Sequence, residues 1–67
     1  MIIQTKDPYS GKGKIWLKFV IGEEEFERFF KVTFQGIQKG KFFYEVEDGF
    51  PKEMVKLIFG LDAVIVR

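Results

Sequence analysis

Residues 14–46 read KIWLKFVIGEEEFERFFKVTFQGIQKGKFFYEV, and this stretch decides the fold. Its first eight residues, 14–21, alternate regularly between two sides. Ile15, Leu17, Phe19 and Ile21 point one way, whereas Lys14, Trp16, Lys18 and Val20 point the other. Alternation with a period of two predicts a half-buried β-strand.

Residues 23–38 fit two structures. As a helix, they place six residues in one stripe: Phe26, Phe29, Phe30, Thr33, Phe34 and Ile37. The helix would also gain i,i+4 ion pairs such as Glu24–Arg28. As a strand, the segment places Phe26, Phe30, Val32 and Phe34 on one face, and its β-branched and aromatic residues suit a sheet.

Cross-strand pairing favours the strand. A tight turn at Gly22-Glu23 sets Phe19 opposite Phe26, Ile15 opposite Phe30, Trp16 opposite Phe29 and Lys18 opposite Glu27. A three-residue loop at Gln38-Lys39-Gly40 sets Phe34 opposite Tyr44, Val32 opposite Val46 and Lys31 opposite Glu47. Because two independent turns both match apolar and charged partners, we predict that residues 24–35 form a strand in a three-stranded meander.

The flanking segments complete the topology. Ile2-Ile3 suit a short first strand, and Pro51 and Gly60 bracket a helix of two to three turns. Its predicted apolar stripe consists of Met54, Leu57, Ile58 and Leu61. Residues 62–67 are typical of a short, well-buried closing strand.

The order β-β-β-β-α-β predicts a single domain over residues 1–67. It would be a mainly β, small SH3-like five-stranded barrel with a short helix before the last strand. If residues 23–38 were helical, the alternative would be a β-grasp-like α+β fold.

Several short fragments, at residues 18–19, 22–24, 40–41, 43–44 and 51–53, resemble small archaeal chromatin proteins. That family has an SH3-like fold and binds the minor groove of DNA. The resemblance covers less than half of the chain, and a strand follows the helix here, so no residue role is carried over from it.

Composition argues against most enzymes. The 67 residues include no Cys and no His, which removes thiolate metal sites, the usual general base and every His-dependent triad. Ser10, the one serine, lies in a turn with Pro and Gly neighbours. The acidic run at residues 23–25 is typical of a solvated hairpin tip rather than a cation site. We therefore expect no catalytic activity, no cofactor, no bound metal and no small-molecule substrate.

The outward face of the meander is the candidate site. Its predicted residues are Lys14, Trp16, Lys18, Phe29, Lys31 and Phe43. Aromatic rings interleaved with lysines on an exposed sheet can stack on bases and contact phosphates, so we expect binding of DNA or RNA. The net charge of +1 gives this expectation no further support.

The aromatic excess has a second interpretation. Nine Phe, two Tyr and one Trp make 18% of the chain, more than one small core can bury. The surplus Phe residues would then form the interface of a homo-oligomer or another protein-interaction module. In the strand register Arg28 points inward opposite Leu17. It would either reach solvent at the barrel rim or lie over an aromatic ring to stack on a partner.

Composition also bears on source and location. The chain lacks Asn and is rich in Lys and Glu, a pattern typical of heat-adapted proteins, and we expect an archaeal or viral source. Because polar residues follow Met1-Ile2-Ile3 at once and no apolar run approaches membrane-spanning length, we expect a cytoplasmic protein without a membrane partner.

Overall fold

A computed structural model describes residues 1–67 as five antiparallel strands and one short helical segment. The elements are β1 (Ile2–Thr5), β2 (Lys14–Ile21), β3 (Glu24–Gln38), β4 (Lys41–Val46), a 3₁₀ turn (Lys52–Met54) continuing into α1 (Val55–Phe59), and β5 (Val64–Ile65). The strands follow the order β2-β3-β4-β1-β5 in a sheet that curls into a half-barrel. The mainly β prediction is confirmed. The strand at Glu24–Gln38 excludes the β-grasp-like alternative.

The β2–β3 hairpin has the register predicted from the sequence. Phe19 pairs with Phe26, Trp16 with Phe29, and Lys18 with Glu27. The two-residue turn begins at Gly22, whose φ of 65° is a conformation that glycine adopts without steric cost. A positive φ at the first central position matches the twist of the two flanking strands.

The β3–β4 connection is shorter than the sequence predicted. The predicted three-residue loop is a two-residue turn at Lys39-Gly40, and both residues have positive φ, as a type I′ turn requires. Gln38 therefore pairs with Lys41, one step out of the expected register. A β-bulge between Phe34 and Gly36 absorbs the extra residue. Below the bulge, Phe34 pairs with Tyr44 and Val32 with Val46, as predicted.

The core lies between the curled sheet and α1. Its buried apolar residues are Ile3, Ile15, Phe30, Tyr44, Val46, Phe50, Val55, Phe59 and Ala63. The predicted helical stripe was wrong in half of its members, because Leu57 and Leu61 are exposed. The helix instead buries Val55 and Phe59, which the periodicity did not single out. No helix in the structure has the length and apolar character needed to span a bilayer.

The predicted closing strand is shorter and less buried than expected. Only Val64 and Ile65 form β5, and both side chains are exposed. Ala63 alone contributes to the core from this segment. The strand pairs only with β1 and lies at one edge of the sheet. Ile21, predicted to point inward, is also exposed, because it lies at the far end of β2.

The molecule is elongated because one hairpin projects from it. β2 pairs with residues 24–31 of β3, whereas β4 pairs with residues 32–38. We call the projecting part, residues 14–31, the ribbon. The principal dimensions are 45 × 20 × 19 Å, and the radius of gyration is 12.6 Å. A compact domain of this length would have a radius of gyration of about 11 Å.

Candidate nucleic-acid interface

An exposed pair of aromatic rings lies at the centre of the predicted site. Trp16 and Phe29 are direct cross-strand partners, and their ring centroids are 4.9 Å apart at an interplanar angle of 51°. Trp16 is 62% exposed and Phe29 is 43% exposed. The face predicted for both residues is therefore correct. The two-residue period of the strands places them on the outer face, and no covering layer lies above them there.

Two lysines flank this pair at the base of the ribbon. Lys14 and Lys31 are cross-strand partners on the same face, two positions further from the hairpin tip. The Lys14 ammonium lies 5.1 Å from the centroid of the Phe29 ring, within the range of a cation–π contact. The backbone N–H of Lys31 donates to the Glu47 carboxylate at 2.7 Å, which fixes the strand on which Lys31 lies. Lys14 therefore contacts the exposed rings, and Lys31 lies opposite Lys14 with the Glu47 carboxylate at its backbone.

On the side toward the hairpin tip, the charge changes sign. Lys18 forms an ion pair with Glu25 at 3.8 Å, and its direct cross-strand partner is Glu27. Both members of the ion pair are well exposed, so the contact contributes little to stability. The ribbon face is thus cationic at its base and acidic at its tip. No three acidic side chains are grouped as a metal site would need.

Phe43 does not lie with the other five residues. It occupies β4, opposite Gln4 on one side and Gly36 on the other. Gly36 is seven residues along β3 from Phe29, which corresponds to about 20 Å of strand. Alternation predicts the face of a side chain but not its position along a long strand, so it does not separate Phe43 from Trp16 and Phe29.

Arg28 lies on the opposite face of the ribbon. Its guanidinium carbon is 4.5 Å from the centroid of the buried Phe30 ring. One of its Nη atoms donates to the backbone oxygen of Asp48 at 2.8 Å. Arg28 is exposed, so it reaches solvent as the first predicted role requires. It also lies over an aromatic ring, but that ring belongs to the core, and the guanidinium ties the ribbon to the β4–α1 loop.

The second face of the ribbon also carries aromatic rings. Phe19 and Phe26 stack with their centroids 5.5 Å apart and an interplanar angle of 20°. Phe26 is 45% exposed, because the curled sheet covers only the base of the ribbon. The sequence placed both residues in the core, since a strand pattern cannot show where the covering layer ends.

The Trp16–Phe29 surface is open, and the chemistry it offers is stacking and charge attraction. No His or Cys is present to act as a base or nucleophile. Outside the ribbon, burial raises the pKa of the Tyr9 phenol. No family model, curated protein or solved structure matches this chain.

Proposed function

We propose that this protein binds single-stranded DNA or RNA on the outer face of the ribbon. The observation that carries the proposal is the solvent-exposed Trp16–Phe29 pair with Lys14 and Lys31 at its side. Base–aromatic stacking contributes about 1–3 kcal/mol per base and tolerates any sequence. Lys14, which contacts the Phe29 ring, and Lys31 opposite it supply the phosphate contacts that such binding also needs.

The charge pattern of the ribbon limits where a nucleic-acid strand can lie on it. Phosphates are attracted to Lys14 and Lys31 and repelled by the acidic tip, so the nucleic acid crosses the base of the ribbon. Lys18 is partly neutralised by Glu25, which leaves two to three effective cations. For a single strand, each neutralised phosphate contributes about −0.7 to the slope of log K against log salt. Binding is therefore weak and moderately salt-dependent.

Titration of Trp16 fluorescence tests the proposal, since Trp16 is the one tryptophan. We expect mixed-sequence single strands to quench it at about 50 mM salt and to bind less tightly at about 200 mM. Trp16→Ala should cost about 1–3 kcal/mol of binding, followed by gel shift, with the salt slope unchanged. Phe34→Ala removes a comparably exposed ring outside the ribbon and should bind as the wild type does.

Lysine substitutions should weaken nucleic-acid binding in a different way from Trp16→Ala. Lys14→Ala should weaken binding to every sequence alike and reduce the magnitude of the salt slope by up to about one unit. The wild type must bind for these comparisons to have meaning. If no binding is detected at low salt, where charge attraction is strongest, the nucleic-acid proposal is wrong.

A second function is supported by a separate observation. Twelve large apolar side chains are exposed, and five of them lie in the ribbon: Trp16, Val20, Ile21, Phe26 and Phe29. Apolar surface concentrated on a projecting element favours a protein-interaction module without catalytic activity, homo-oligomeric through the surplus Phe residues. If the exposed Phe residues form this interface, Phe26→Ala should weaken self-association measured by sedimentation in the absence of nucleic acid.

We also infer a cytoplasmic location and a heat-adapted archaeal or viral source. The support is the composition, which lacks Asn and is dominated by Lys and Glu among its charged residues.

A further inference from the structure

The outer edge of β2 is an unpaired strand edge of unusual length. β2 is eight residues long, lies at one end of the sheet order and pairs only with β3. Edge strands in natural proteins are commonly short, bulged or covered, because a long free edge is a template for pairing with another chain. An isolated two-stranded hairpin is also marginally stable in water, so the ribbon gains from an additional strand.

The hydrogen-bond pattern shows which backbone groups this edge offers. Val32 N–H donates to Gly13 C=O at 2.8 Å, so this pair is hydrogen-bonded. Hydrogen-bonded and non-hydrogen-bonded pairs alternate along an antiparallel ladder. The four residues between the hydrogen-bonded positions therefore direct their N–H and C=O groups to the free edge; these residues are Lys14, Trp16, Lys18 and Val20.

We propose that β2 pairs antiparallel with β2 of a second copy, across a two-fold axis at Leu17. Edge-to-edge pairing about a two-fold axis perpendicular to the sheet keeps equivalent faces on the same side, so each residue must face one of the same parity. Three registers meet this condition near the middle of β2, with the axis at Trp16, Leu17 or Lys18.

The lysines select among these registers. With the axis at Trp16, Lys14 faces Lys18 of the partner subunit. With the axis at Lys18, that residue faces its own copy. Both arrangements place like charges directly opposite each other, which destabilises a strand pair.

The Leu17-centred register has no such conflict. On the outer face Trp16 meets Lys18 of the partner subunit, a ring facing a cation. On the inner face Leu17 meets its own copy and Ile15 meets Phe19 of the partner subunit. The four outward-directed residues of each strand form about eight hydrogen bonds in total, within the range of a typical protein interface.

Such a dimer has a consequence for the outer face. The two Trp16 residues become diagonal neighbours, about 7–8 Å apart. With the two Phe29 residues they form one row of four rings across four strands, flanked by lysines from both copies. The dimer does not depend on nucleic-acid binding, but it would double the surface available for stacking.

Single-cysteine variants test the register, since the chain contains no cysteine of its own. In a non-hydrogen-bonded antiparallel pair the Cα atoms are about 4.5 Å apart, within the range of a disulfide. We expect Leu17→Cys to oxidise to a covalent dimer, whereas Trp16→Cys, Lys18→Cys and Val20→Cys, which do not face their own copies, remain largely monomeric on non-reducing gels. Preferred cross-linking at Trp16 or Lys18 would overturn the register.

A backbone substitution tests the edge itself without a cysteine. The Val20 N–H points away from β3, so Val20→Pro removes an intermolecular donor and leaves the hairpin bonds intact. Val20→Thr is the matched control, because it keeps both the β-branched shape and the N–H. We expect the wild type and Val20→Thr to sediment as dimers at about tens of micromolar.

Val20→Pro should be folded by circular dichroism and weakened in dimerisation by at least about tenfold. A wild type that stays monomeric up to about 1 mM would overturn the proposal. A Val20→Pro variant that dimerises as tightly as the wild type would do the same. All of these measurements are made without nucleic acid, so their failure is distinct from failure of the stacking proposal.

Discussion

Tyr9 fastens the loop between β1 and β2 to the core. Its ring lies 4.8 Å from that of Phe59 and meets Tyr44 edge to face at 5.8 Å. Its backbone N–H donates to the Tyr44 hydroxyl at 2.8 Å, and its own hydroxyl donates to the Lys12 carbonyl at 2.9 Å. Tyr9 thus supplies the main side-chain contacts between the core and a loop of eight residues without regular structure.

This arrangement makes the protein less stable at alkaline pH. Burial raises the pKa of Tyr9 above its ordinary value of 10.0, so the folded protein holds the phenolic proton more tightly than the unfolded chain does. The stabilisation is complete below about pH 10 and is lost as the pH rises through the folded pKa. We expect Tyr9→Phe to cost about 0.5–1 kcal/mol at neutral pH, because one hydrogen bond is lost.

The difference between the two proteins should shrink as the pH is raised above 10, since phenylalanine has no proton to lose. Urea denaturation of both proteins at neutral pH and above pH 10 measures this difference. All other groups are the same in the two proteins, so their effects cancel in the difference. A constant difference across that range would show that Tyr9 does not couple folding to pH.

At the scale of the elements, the β3–β4 turn contains a residue poorly suited to it. Lys39 has a φ of 52°, the left-handed region that non-glycine residues occupy at a cost. Asn tolerates this region well, and Asn-Gly is the preferred pair for a type I′ turn. We therefore expect Lys39→Asn to raise the free energy of unfolding by about 0.5–1 kcal/mol, measured by urea denaturation. Lys41→Asn, two residues further on and inside β4, is the control and should not stabilise the protein.

The strands of the meander could be predicted because each pairing was supported twice, by rings on one face and by charges on the other. The bulge at Phe34–Gly36 could not, because a three-residue loop and a two-residue turn with a bulge give the same Phe34–Tyr44 pairing. The predicted apolar stripe of the helix was wrong at Leu57 and Leu61 for a different reason. An eight-residue segment is too short for periodicity to show which apolar residues face the sheet.

For the candidate site, the sequence predicted the exposed faces of Trp16 and Phe29 but not their surroundings. The exclusion of Phe43 and the contact of Arg28 with Phe30 depend on how far each strand runs past its neighbours. That length is set by the curl of the whole sheet. The residue pattern of a single strand therefore cannot predict how far that strand runs past its neighbours.

For the whole molecule, Phe30 is the most deeply buried of the ribbon side chains that contact the body. Phe30 is fully buried, and its ring lies 6.4 Å from that of Phe19 in the ribbon and 5.3 Å from that of Phe50 before the helix. The Arg28 guanidinium covers it from the ribbon side. With 10 of 67 residues buried, the protein has few other contacts that could replace this one.

Phe29 and Phe30 therefore allow the same substitution to be made at neighbouring positions with opposite expected results. Truncation of a buried Phe to Ala costs about 3–5 kcal/mol. A chain of this length has a total stability of about 3–10 kcal/mol, so Phe30→Ala should be largely or wholly unfolded, or reduced to marginal stability. Phe29→Ala should cost about 1 kcal/mol or less, because the ring is 43% exposed and loses chiefly its contact with Trp16. Circular dichroism during thermal and urea denaturation measures both, with Phe30→Leu as a variant that retains most of the buried volume.

Equal destabilisation by the two alanine substitutions would mean that Phe29 is covered in solution, and the stacking surface proposed for the ribbon would then be occupied by protein.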